Sequence, residues 1–271
     1  MINKTLGFIG TGNMGQALIK GLLKAGRIES QQIIATDLDK AKLAFLEGET
    51  NIRIVEQDKQ AVEVSEAVLL CVKPAAITHL LKNIAPVLTP EKVIISIAAG
   101  IGTQQIEEII GEGIPVIRVM PNTPAMVGAG ISAISPGKYA GPGEAQLAVA
   151  IFGAVGEVVA INESLMDVIT GLSGSGPAYI FTVIEALSEA GVAGGLPRET
   201  ALKTAVWTVL GAAKMVLETG QHPALLREMV TSPGGTTVAG LKALEERGIR
   251  GMFMEAVDQA TRRSKALAKS Q

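Results

Sequence analysis

The chain has 271 residues, of which 48% are hydrophobic and 3% aromatic, and its formal net charge is −2. This length and apolar content predict one large or two ordinary domains with a sizeable core. The charge excludes a basic field for nucleic acid or an anionic membrane, and the single cysteine, Cys71, excludes a disulfide framework and a multi-cysteine metal site.

The first half of the chain alternates short apolar runs with amphipathic segments. The runs typical of buried strands are Leu6–Gly10, Ile33–Thr36, Ile52–Val55, Ala67–Val72, Val93–Ile97 and Val116–Met120. Helical periodicity is found at Gly15–Lys24, Ala75–Leu88 and Thr103–Ile110, and the segments Ile131–Ser135, Glu144–Phe152 and Glu157–Ile161 are expected to finish the sheet. This alternation predicts an α/β fold, with a Rossmann-type doubly wound parallel sheet over residues 1–161.

A glycine-rich motif, GFIGTGNMG, follows the first predicted strand and opens the first predicted helix. In that context Gly10 permits a tight turn, Gly12 lets the backbone approach a pyrophosphate, and Gly15 allows close packing of the helix on the strand. Asn13 and Met14 complete the same turn. The motif predicts a dinucleotide site, and the alternative is a tight strand–helix turn without a ligand.

Asp37 lies at the end of the second predicted strand. A carboxylate there accepts hydrogen bonds from the adenosine ribose hydroxyls and repels a 2′-phosphate, which favours NADH over NADPH. The alternative is a cap for a helix beginning near Asp39. Lys40 and Lys42 lie nearby and could meet a phosphate, so NADPH stays open as the cofactor.

Three loops follow later strands at the edge where doubly wound sheets bind ligands. Val72, Lys73 and Pro74 form the first, and Lys73 is either a solvated charge or a cofactor contact. The second contains Ala99, where small side chains let the backbone approach a nicotinamide ribose. The third, MPNTPAMVGAG, contains Asn122, which we group with the cofactor-binding residues.

From Asn162 onward the strand signals stop, so residues 162–271 are predicted to form an all-helical domain. Its predicted helices are Pro177–Ala190, Pro197–Glu218, Pro223–Val230, Thr237–Glu246 and Arg250–Ala268. Residues 200–220 carry charge at three positions only and are apolar nearly all round, as in a helix buried on several sides. Part of that burial is expected from a second subunit, which predicts a homodimer, and a larger ring of dimers stays open.

Two polar loops, GLSGSGPAY and TSPGGTT, interrupt this apolar half. In the second, Ser232, two consecutive glycines and two threonines precede a helical run. Backbone N–H groups converging beside hydroxyls are typical of an anion cradle, and a substrate carboxylate is its natural guest. The alternative is an ordinary capped turn.

The sequence lacks the residue patterns of metal-dependent catalysis and of serine-nucleophile catalysis. His79 and His222 have no metal-ligand spacing, so no metal site is expected, and no serine lies in a nucleophile elbow. No secretory signal or membrane span is apparent, so we expect a cytoplasmic protein. The chemistry is therefore assigned to a nicotinamide cofactor that the protein orients.

Along nearly its whole length the chain resembles the Δ1-pyrroline-5-carboxylate reductase family. The resemblance is carried by GFIGTGNMG, VKP, SIAAG, MPNTP, TGLSGSGPAY and TSPGGTT, in this order and at this spacing. It implies hydride transfer from NAD(P)H to the C=N bond of Δ1-pyrroline-5-carboxylate, giving L-proline as the last step of proline biosynthesis. It also implies a Rossmann domain, a helical dimerisation domain and an active site near the subunit interface.

The same resemblance implies roles for single residues. The N–H groups of Gly234, Gly235 and Thr236 would hold the substrate carboxylate with help from Ser232, and Thr237 would place its hydroxyl at the imine nitrogen. Glu163 matches a family position near the substrate, although helix capping explains it as well. Asp58 stands where the family often has Asn beside the adenosine, and this departure again favours NADH.

Three other functions are weighed against this one. A β-hydroxyacid dehydrogenase would need Lys and Asn where this chain has Ile180 and Ile184, and an isoleucine cannot exchange protons. A reductase of another cyclic imine is disfavoured by the carboxylate cradle. A non-catalytic nicotinamide sensor or scaffold would need the cofactor loops but not the cradle.

Overall fold

The computed structural model describes residues 1–269, and its strands form one eight-stranded sheet. The strands are β1 Leu6–Ile9, β2 Ile33–Thr36, β3 Arg53–Ile54, β4 Ala67–Leu70, β5 Val93–Ser96, β6 Val116–Pro121, β7 Gly130–Pro136 and β8 Gly156–Ala160. Their order is β3-β2-β1-β4-β5-β6-β7-β8, so the winding direction reverses between β1 and β4. The predicted doubly wound Rossmann-type sheet is confirmed, and its switch point opens a crevice beside the glycine-rich turn.

The direction of β7 departs from the parallel pairing of the preceding strands. β7 pairs antiparallel with β6, and β8 then pairs parallel with β7. Residues 122–129 are all that separates β6 from β7. A parallel return needs a crossover of a dozen or more residues, so this short connection allows only a reversal.

Helices cover both faces of the sheet. Those of the sheet half are α1 Asn13–Lys24, α2 Lys40–Thr50, α3 Asp58–Glu63, α4 Pro74–Ile84, α5 Thr103–Ile110, α6 Pro142–Phe152 and α7 Met166–Ile169. Residues of β1, β2, β4, β5 and β6 enter two separate apolar clusters, one on each face: Leu6 and Phe8 belong to one, and Ile9 belongs to the other. This explains why the strands have nearly continuous apolar sequences.

Two compact units make up the described chain. The first comprises residues 1–175 together with the chain from Gln259 onward, and the second comprises residues 176–258. Residues 162–175, which the sequence analysis placed in the helical domain, pack within the sheet unit. Met166 is fully buried there, and the Ser264 hydroxyl donates to Asp167 Oδ1 at 2.6 Å.

The second unit is helical. It contains α8 Gly176–Ala193, α9 Arg198–Thr219, α10 Pro223–Met229, α11 Thr236–Glu246 and the first part of α12 Ile249–Lys269. Its surface is unusually apolar: Trp207 is 64% exposed and Leu210 is 51% exposed, and only Ala201 and Ala205 of α9 are buried. Exposed apolar side chains in such numbers are typical of an interaction surface.

By length and composition α9 could also cross a membrane. For one helix this is weak evidence, since long apolar helices of proteins without a membrane pass the same test. A subunit interface accounts for the same exposed side chains.

Candidate functional site

The glycine-rich turn between β1 and α1 has room for a ligand on one side only. Gly10 has a φ of +97°, and a Cβ there would lie 2.8 Å from the Cys71 carbonyl oxygen. A Cβ on Gly15 would lie 2.5 Å from the Gly10 carbonyl oxygen. Gly12, by contrast, would meet nothing within 4 Å. The outer two glycines therefore serve packing, and the open side at Gly12 lets a ligand reach the backbone.

The N-terminus of α1 is available to an anion. Gly12 is the N-cap residue and makes no side-chain cap, and Asn13 begins the helix in an exposed position, followed by half-buried Met14. The N–H groups of a first helical turn have no acceptor within the helix. Together with the helix dipole they favour a phosphate at this point.

Asp37 follows β2 and faces the glycine-rich turn. Its Oδ2 accepts hydrogen bonds from the Thr11 backbone N–H and hydroxyl, and its Oδ1 accepts from the Asp39 N–H. Partial burial raises the pKa of Asp37, but the hydrogen bonds from Asp39 and Thr11 outweigh it and lower the pKa overall. Asp37 is thus a carboxylate held at the edge of the crevice. Asp39, not Asp37, caps α2 by accepting from Lys42 N at 3.1 Å.

A small cavity of about 280 Å³ lies beside Asp37. Glu56 and Asp58 also line it, with Asn83 and the 98% exposed side chain of Leu38. Burial raises the pKa of Asp58, although the hydrogen bond with the Asn83 side chain acts in the opposite direction. Lys59 also lines the cavity, so its three carboxylates outnumber one ammonium group and make a poor environment for an additional phosphate.

A second cleft lies at the loops after β4 and β5. Its volume is about 230 Å³, and it is lined by Pro74, Ala99, Gly100, Thr170, Ser175, Ala260, Arg263, Ser264 and Leu267. Val72 is half-buried beside it, and Lys73 is exposed as the N-cap residue of α4. The structure thus groups two of the loops predicted from the sequence. The wall supplied by the end of α12 was not predicted, because the residues there form no recognisable motif.

Asn122 is bonded within the protein. It is 9% exposed, its Nδ2 donates to the Ser173 carbonyl at 3.1 Å, and its Oδ1 accepts from Ile131 N at 2.9 Å. Asn122 does not line the cleft at Pro74 and Ala99. A direct contact with the cofactor therefore has no support in this geometry.

Glu163 makes a bridge within the sheet unit. One carboxylate oxygen accepts from Thr103 N at 2.8 Å and lies 3.3 Å from Arg118 Nη1, and the other accepts from the Thr103 hydroxyl at 2.6 Å. These bonds cap the start of α5 and neutralise a nearly buried Arg118. Glu163 therefore caps a helix, as the alternative interpretation held. The capped helix is α5, however, and not the helix that follows Glu163.

We therefore expect Glu163→Ala to act on stability. The substitution leaves Arg118 and the Thr103 N–H without their partner. Because Glu163 is partly exposed, we expect the free energy of unfolding to fall by about 2 kcal/mol. Urea denaturation followed by circular dichroism measures this change. Glu157→Ala, at an exposed position on β8, is the control with no expected effect. A normal urea midpoint combined with a raised KM for the imine would instead favour the substrate role.

The TSPGGTT turn lies in the helical unit and opens α11. Gly235 is the N-cap residue and makes no side-chain cap, and Gly234 has a φ of +70°. The Gly235 N–H donates to the Ser232 carbonyl at 3.0 Å, so it closes the turn. This differs from the role that the resemblance implied for the Gly235 N–H.

The backbone N–H groups of this turn that are available to a ligand follow Gly235 in the chain. The N–H groups of Thr236, Thr237 and Val238 belong to the first turn of α11 and have no acceptor within the helix. Thr237 is half-buried beside them, and the Ser232 side chain is exposed. A small carboxylate fits such a turn because both the N–H groups and the helix dipole favour an anion.

His222 makes a cap in the same unit. Its Nδ1 accepts from Ala224 N at 3.2 Å, so the imidazole caps the start of α10. Within residues 1–269, no group of three or more His, Cys, Asp or Glu side chains could hold a metal ion.

Two family models match the chain. One, described as pyrroline-5-carboxylate reductase dimerisation, matches residues 163–267. The other, described as NADP oxidoreductase, coenzyme F420-dependent, matches residues 5–100. The first begins one residue after Asn162, where the sequence analysis placed the start of the helical domain.

Several relatives and solved structures that match over nearly their whole length are pyrroline-5-carboxylate reductases. The pyrroline-5-carboxylate reductase of Methanosarcina acetivorans is 48% identical, with 99% of this chain and 100% of the relative covered. The structure of the Coxiella burnetii pyrroline-5-carboxylate reductase is 37% identical with a TM-score of 0.93, covering 98% and 99% of the two chains. That of the Plasmodium falciparum pyrroline carboxylate reductase with NADP bound is 33% identical with a TM-score of 0.89, covering 99% of both.

Proposed function

The chain belongs to the pyrroline-5-carboxylate reductase family, and we propose that it transfers a hydride from a reduced nicotinamide dinucleotide to the C=N carbon of Δ1-pyrroline-5-carboxylate. The product is L-proline, so the protein is an oxidoreductase of proline biosynthesis. One observation carries the proposal: a turn with free N–H groups at the start of α11 accompanies a glycine-rich dinucleotide turn in the same chain. The first fits a small carboxylate and the second fits a pyrophosphate.

The dinucleotide supplies the hydride, and the residues of the glycine-rich turn fit its pyrophosphate. Gly12 leaves the backbone accessible, and the uncapped N-terminus of α1 offers N–H donors. The adenosine fits the cavity beside Asp37 and Asp58, since it adjoins that turn along the same edge of the sheet. The loops that carry Lys73 and Ala99 lie on the other side of the switch point, where the nicotinamide riboside belongs.

The cradle at the start of α11 binds and orients the substrate. The N–H groups of Thr236, Thr237 and Val238 hold its carboxylate, and Ser232 assists. A fixed carboxylate limits the positions open to the imine carbon, and such positioning supplies much of an enzyme's acceleration.

Thr237 contacts the reacting group. The imine accepts a hydride most readily when its nitrogen is protonated, and a threonine hydroxyl is too weak an acid to protonate it. The Thr237 hydroxyl instead hydrogen-bonds the nitrogen and stabilises it as it becomes an amine. The proton arrives with the substrate or through water.

The test is to mix the protein with Δ1-pyrroline-5-carboxylate and NADH, and in parallel NADPH. Loss of absorbance at the nicotinamide wavelength together with formation of L-proline supports the proposal. Oxidation with other cyclic imines only would reassign the substrate. Binding of NADH without imine-dependent oxidation would favour a sensor.

We propose further that NADH is the preferred cofactor. Asp37, Glu56 and Asp58 line the proposed adenosine cavity against a single lysine, Lys59, so a 2′-phosphate would add negative charge where carboxylates are in excess. The Lys40 ammonium group is already hydrogen-bonded within the protein, because its Nζ donates to the Glu56 carbonyl at 3.1 Å.

Replacing Asp37 is expected to change this preference. Asp37→Ser removes a carboxylate that accepts ribose hydroxyls, so the ratio of kcat/KM for NADH to that for NADPH falls about 10- to 100-fold. Steady-state kinetics with both cofactors measures the ratio. Asp39→Ser is the matched control, because it removes the same charge two residues away and serine still caps α2. An unchanged ratio in Asp37→Ser would remove Asp37 from cofactor selection.

The assembly that we propose is a homodimer formed through the helical unit, and a larger ring would be built from such dimers. The matched dimerisation family covers residues 163–267, and the exposed apolar side chains of α9 lie within that range. We also propose a cytoplasmic location, a functional division between residues 1–161 and 162–271, and no metal.

A further inference from the structure

A π-helical turn lies between α7 and α8. It spans Thr170–Gly174, and the Ser175 N–H donates to the Thr170 carbonyl five residues earlier at 2.9 Å. Such turns are rare and are frequently found at functional sites. The widened turn disturbs the regular hydrogen-bond ladder, so its carbonyl groups need donors from elsewhere.

Asn122 supplies one of those donors. Its Nδ2 donates to the Ser173 carbonyl at 3.1 Å, inside the π-helical turn. Its Oδ1 accepts from the Ile131 N–H at the start of β7 at 2.9 Å, so the two partners together define which side-chain atom is oxygen and which is nitrogen. The Met120 side chain also packs here, since a Cβ on Gly174 would lie 2.7 Å from Met120 Cε. The π-helical turn is thereby fixed to the end of β6.

The π-helical turn carries side chains into the cleft at β4 and β5. Thr170 begins the turn and Ser175 follows it, and both line the 230 Å³ cleft together with Pro74 and Ala99. The Thr170 hydroxyl donates to the Met166 carbonyl at 2.9 Å. Ser175 is half-buried.

The sheet order assigns this cleft to one half of the dinucleotide. Asp37 follows β2, on one side of the switch point between β1 and β4, and the cleft at Pro74 and Ala99 follows β4 and β5 on the other side. A dinucleotide with its pyrophosphate at α1 and its adenosine beside Asp37 therefore extends its nicotinamide toward this cleft.

We propose that Asn122 is a positioning residue, which by fixing the π-helical turn holds the Ser175 hydroxyl against the nicotinamide half of the bound cofactor. This inference rests on the proposed function. Asn122 itself touches neither cofactor nor substrate. Its contribution is the orientation of the nicotinamide ring, which sets the rate of hydride transfer, whereas the adenosine and pyrophosphate contacts set most of the affinity.

The substitution Asn122→Asp tests the proposal. It retains the shape and the acceptor for Ile131 N, loses the donor to the Ser173 carbonyl and places a negative charge against that carbonyl. Because small misplacements can cost up to about 100-fold in rate, we expect kcat to fall about 30-fold while the Kd for NADH changes less than about 3-fold. The deuterium isotope effect on kcat, measured with NADH deuterated at C4, is expected to rise because hydride transfer becomes the slow step.

A pH series separates positioning from general damage. As the pH falls, the introduced carboxyl becomes protonated and can donate to the Ser173 carbonyl again, so activity relative to the unsubstituted enzyme at the same pH is expected to recover. Asn162→Asp is the matched control: the Asn162 side chain accepts from Ser164, and a carboxylate can accept in its place. That control is expected to show normal kcat and no recovery at low pH.

Several outcomes overturn the proposal. A Kd for NADH that rises as much as kcat falls would make Asn122 a direct cofactor ligand, and an unchanged kcat would deny it any role. If Asn122→Asp fails to fold, Ser175→Ala decides: we expect kcat to fall about 10-fold with unchanged NADH affinity, and unchanged kcat refutes the proposal. If the unsubstituted protein binds NADH but does not oxidise it with the imine, the proposed function fails and this inference falls with it.

Discussion

Thr237→Ala is expected to lower kcat/KM for Δ1-pyrroline-5-carboxylate about 100-fold, the usual cost of removing one donor at a group that changes charge in the transition state. Thr237→Ser is expected to retain a substantial part of the activity, because it keeps the hydroxyl and loses only a methyl group. The Kd for NADH is expected to stay unchanged in both variants, since the proposed contact is with the imine nitrogen. Steady-state kinetics and fluorescence titration with NADH measure these quantities.

Thr219→Ala is the matched control for that series. Thr219 is an exposed threonine at the end of α9, and its hydroxyl donates to the Met215 carbonyl at 2.7 Å. Its replacement removes the same atoms within the same unit and is expected to leave kcat/KM unchanged. Equal turnover in Thr237→Ala, Thr237→Ser and the unsubstituted enzyme would remove Thr237 from the mechanism.

Leu210→Asp is expected to disrupt the dimer. Leu210 is 51% exposed on α9 within one chain, and the proposed interface covers it in the assembly. An unpaired carboxylate in an apolar interface costs about 3–5 kcal/mol, enough to convert the dimer into monomers at micromolar concentration. Size-exclusion chromatography with light scattering measures the mass.

Phe45→Asp serves as the control for the dimer experiment. Phe45 is 64% exposed on α2 of the sheet unit, so the change introduces the same charge at an apolar side chain outside the proposed interface. Its mass is expected to equal that of the unsubstituted protein. A Leu210→Asp protein that keeps the same mass and the same dissociation constant would place the interface elsewhere.

Local features of the site could be predicted from the sequence. The glycines at positions 10, 12 and 15 follow a strand and open a helix, and the structure places each of them in that setting. The start of α11 after two glycines was predicted to within one residue, since a turn followed by an apolar helical run is a local signal. The resemblance named the N–H groups of Gly234, Gly235 and Thr236 as the carboxylate donors, but it could not show that the Gly235 N–H donates to the Ser232 carbonyl, because this bond depends on the actual turn geometry.

Contacts between distant segments could not be predicted. Glu163 meets Thr103 and Arg118, and Asn122 meets Ser173; each pair is separated by at least 45 residues. A carboxylate or an amide in a sequence has many possible partners, and only packing selects among them. For this reason the internal hydrogen bonds of Glu163 and Asn122 could not be predicted from the sequence, and their roles at substrate and cofactor stay predictions.

The sequence alone determined the doubly wound sheet, the glycine-rich turn before α1, the turn before α11 and the helical half, because each depends on hydrophobic periodicity and turn residues within a few neighbouring positions. The tertiary structure decided the reversal of β7, the packing of residues 162–175 with the sheet, and the contribution of the end of α12 to the cleft. It also decided the link from Asn122 to the π-helical turn. These features arise when segments far apart in the chain are brought together to satisfy buried polar groups, and no local pattern records that requirement.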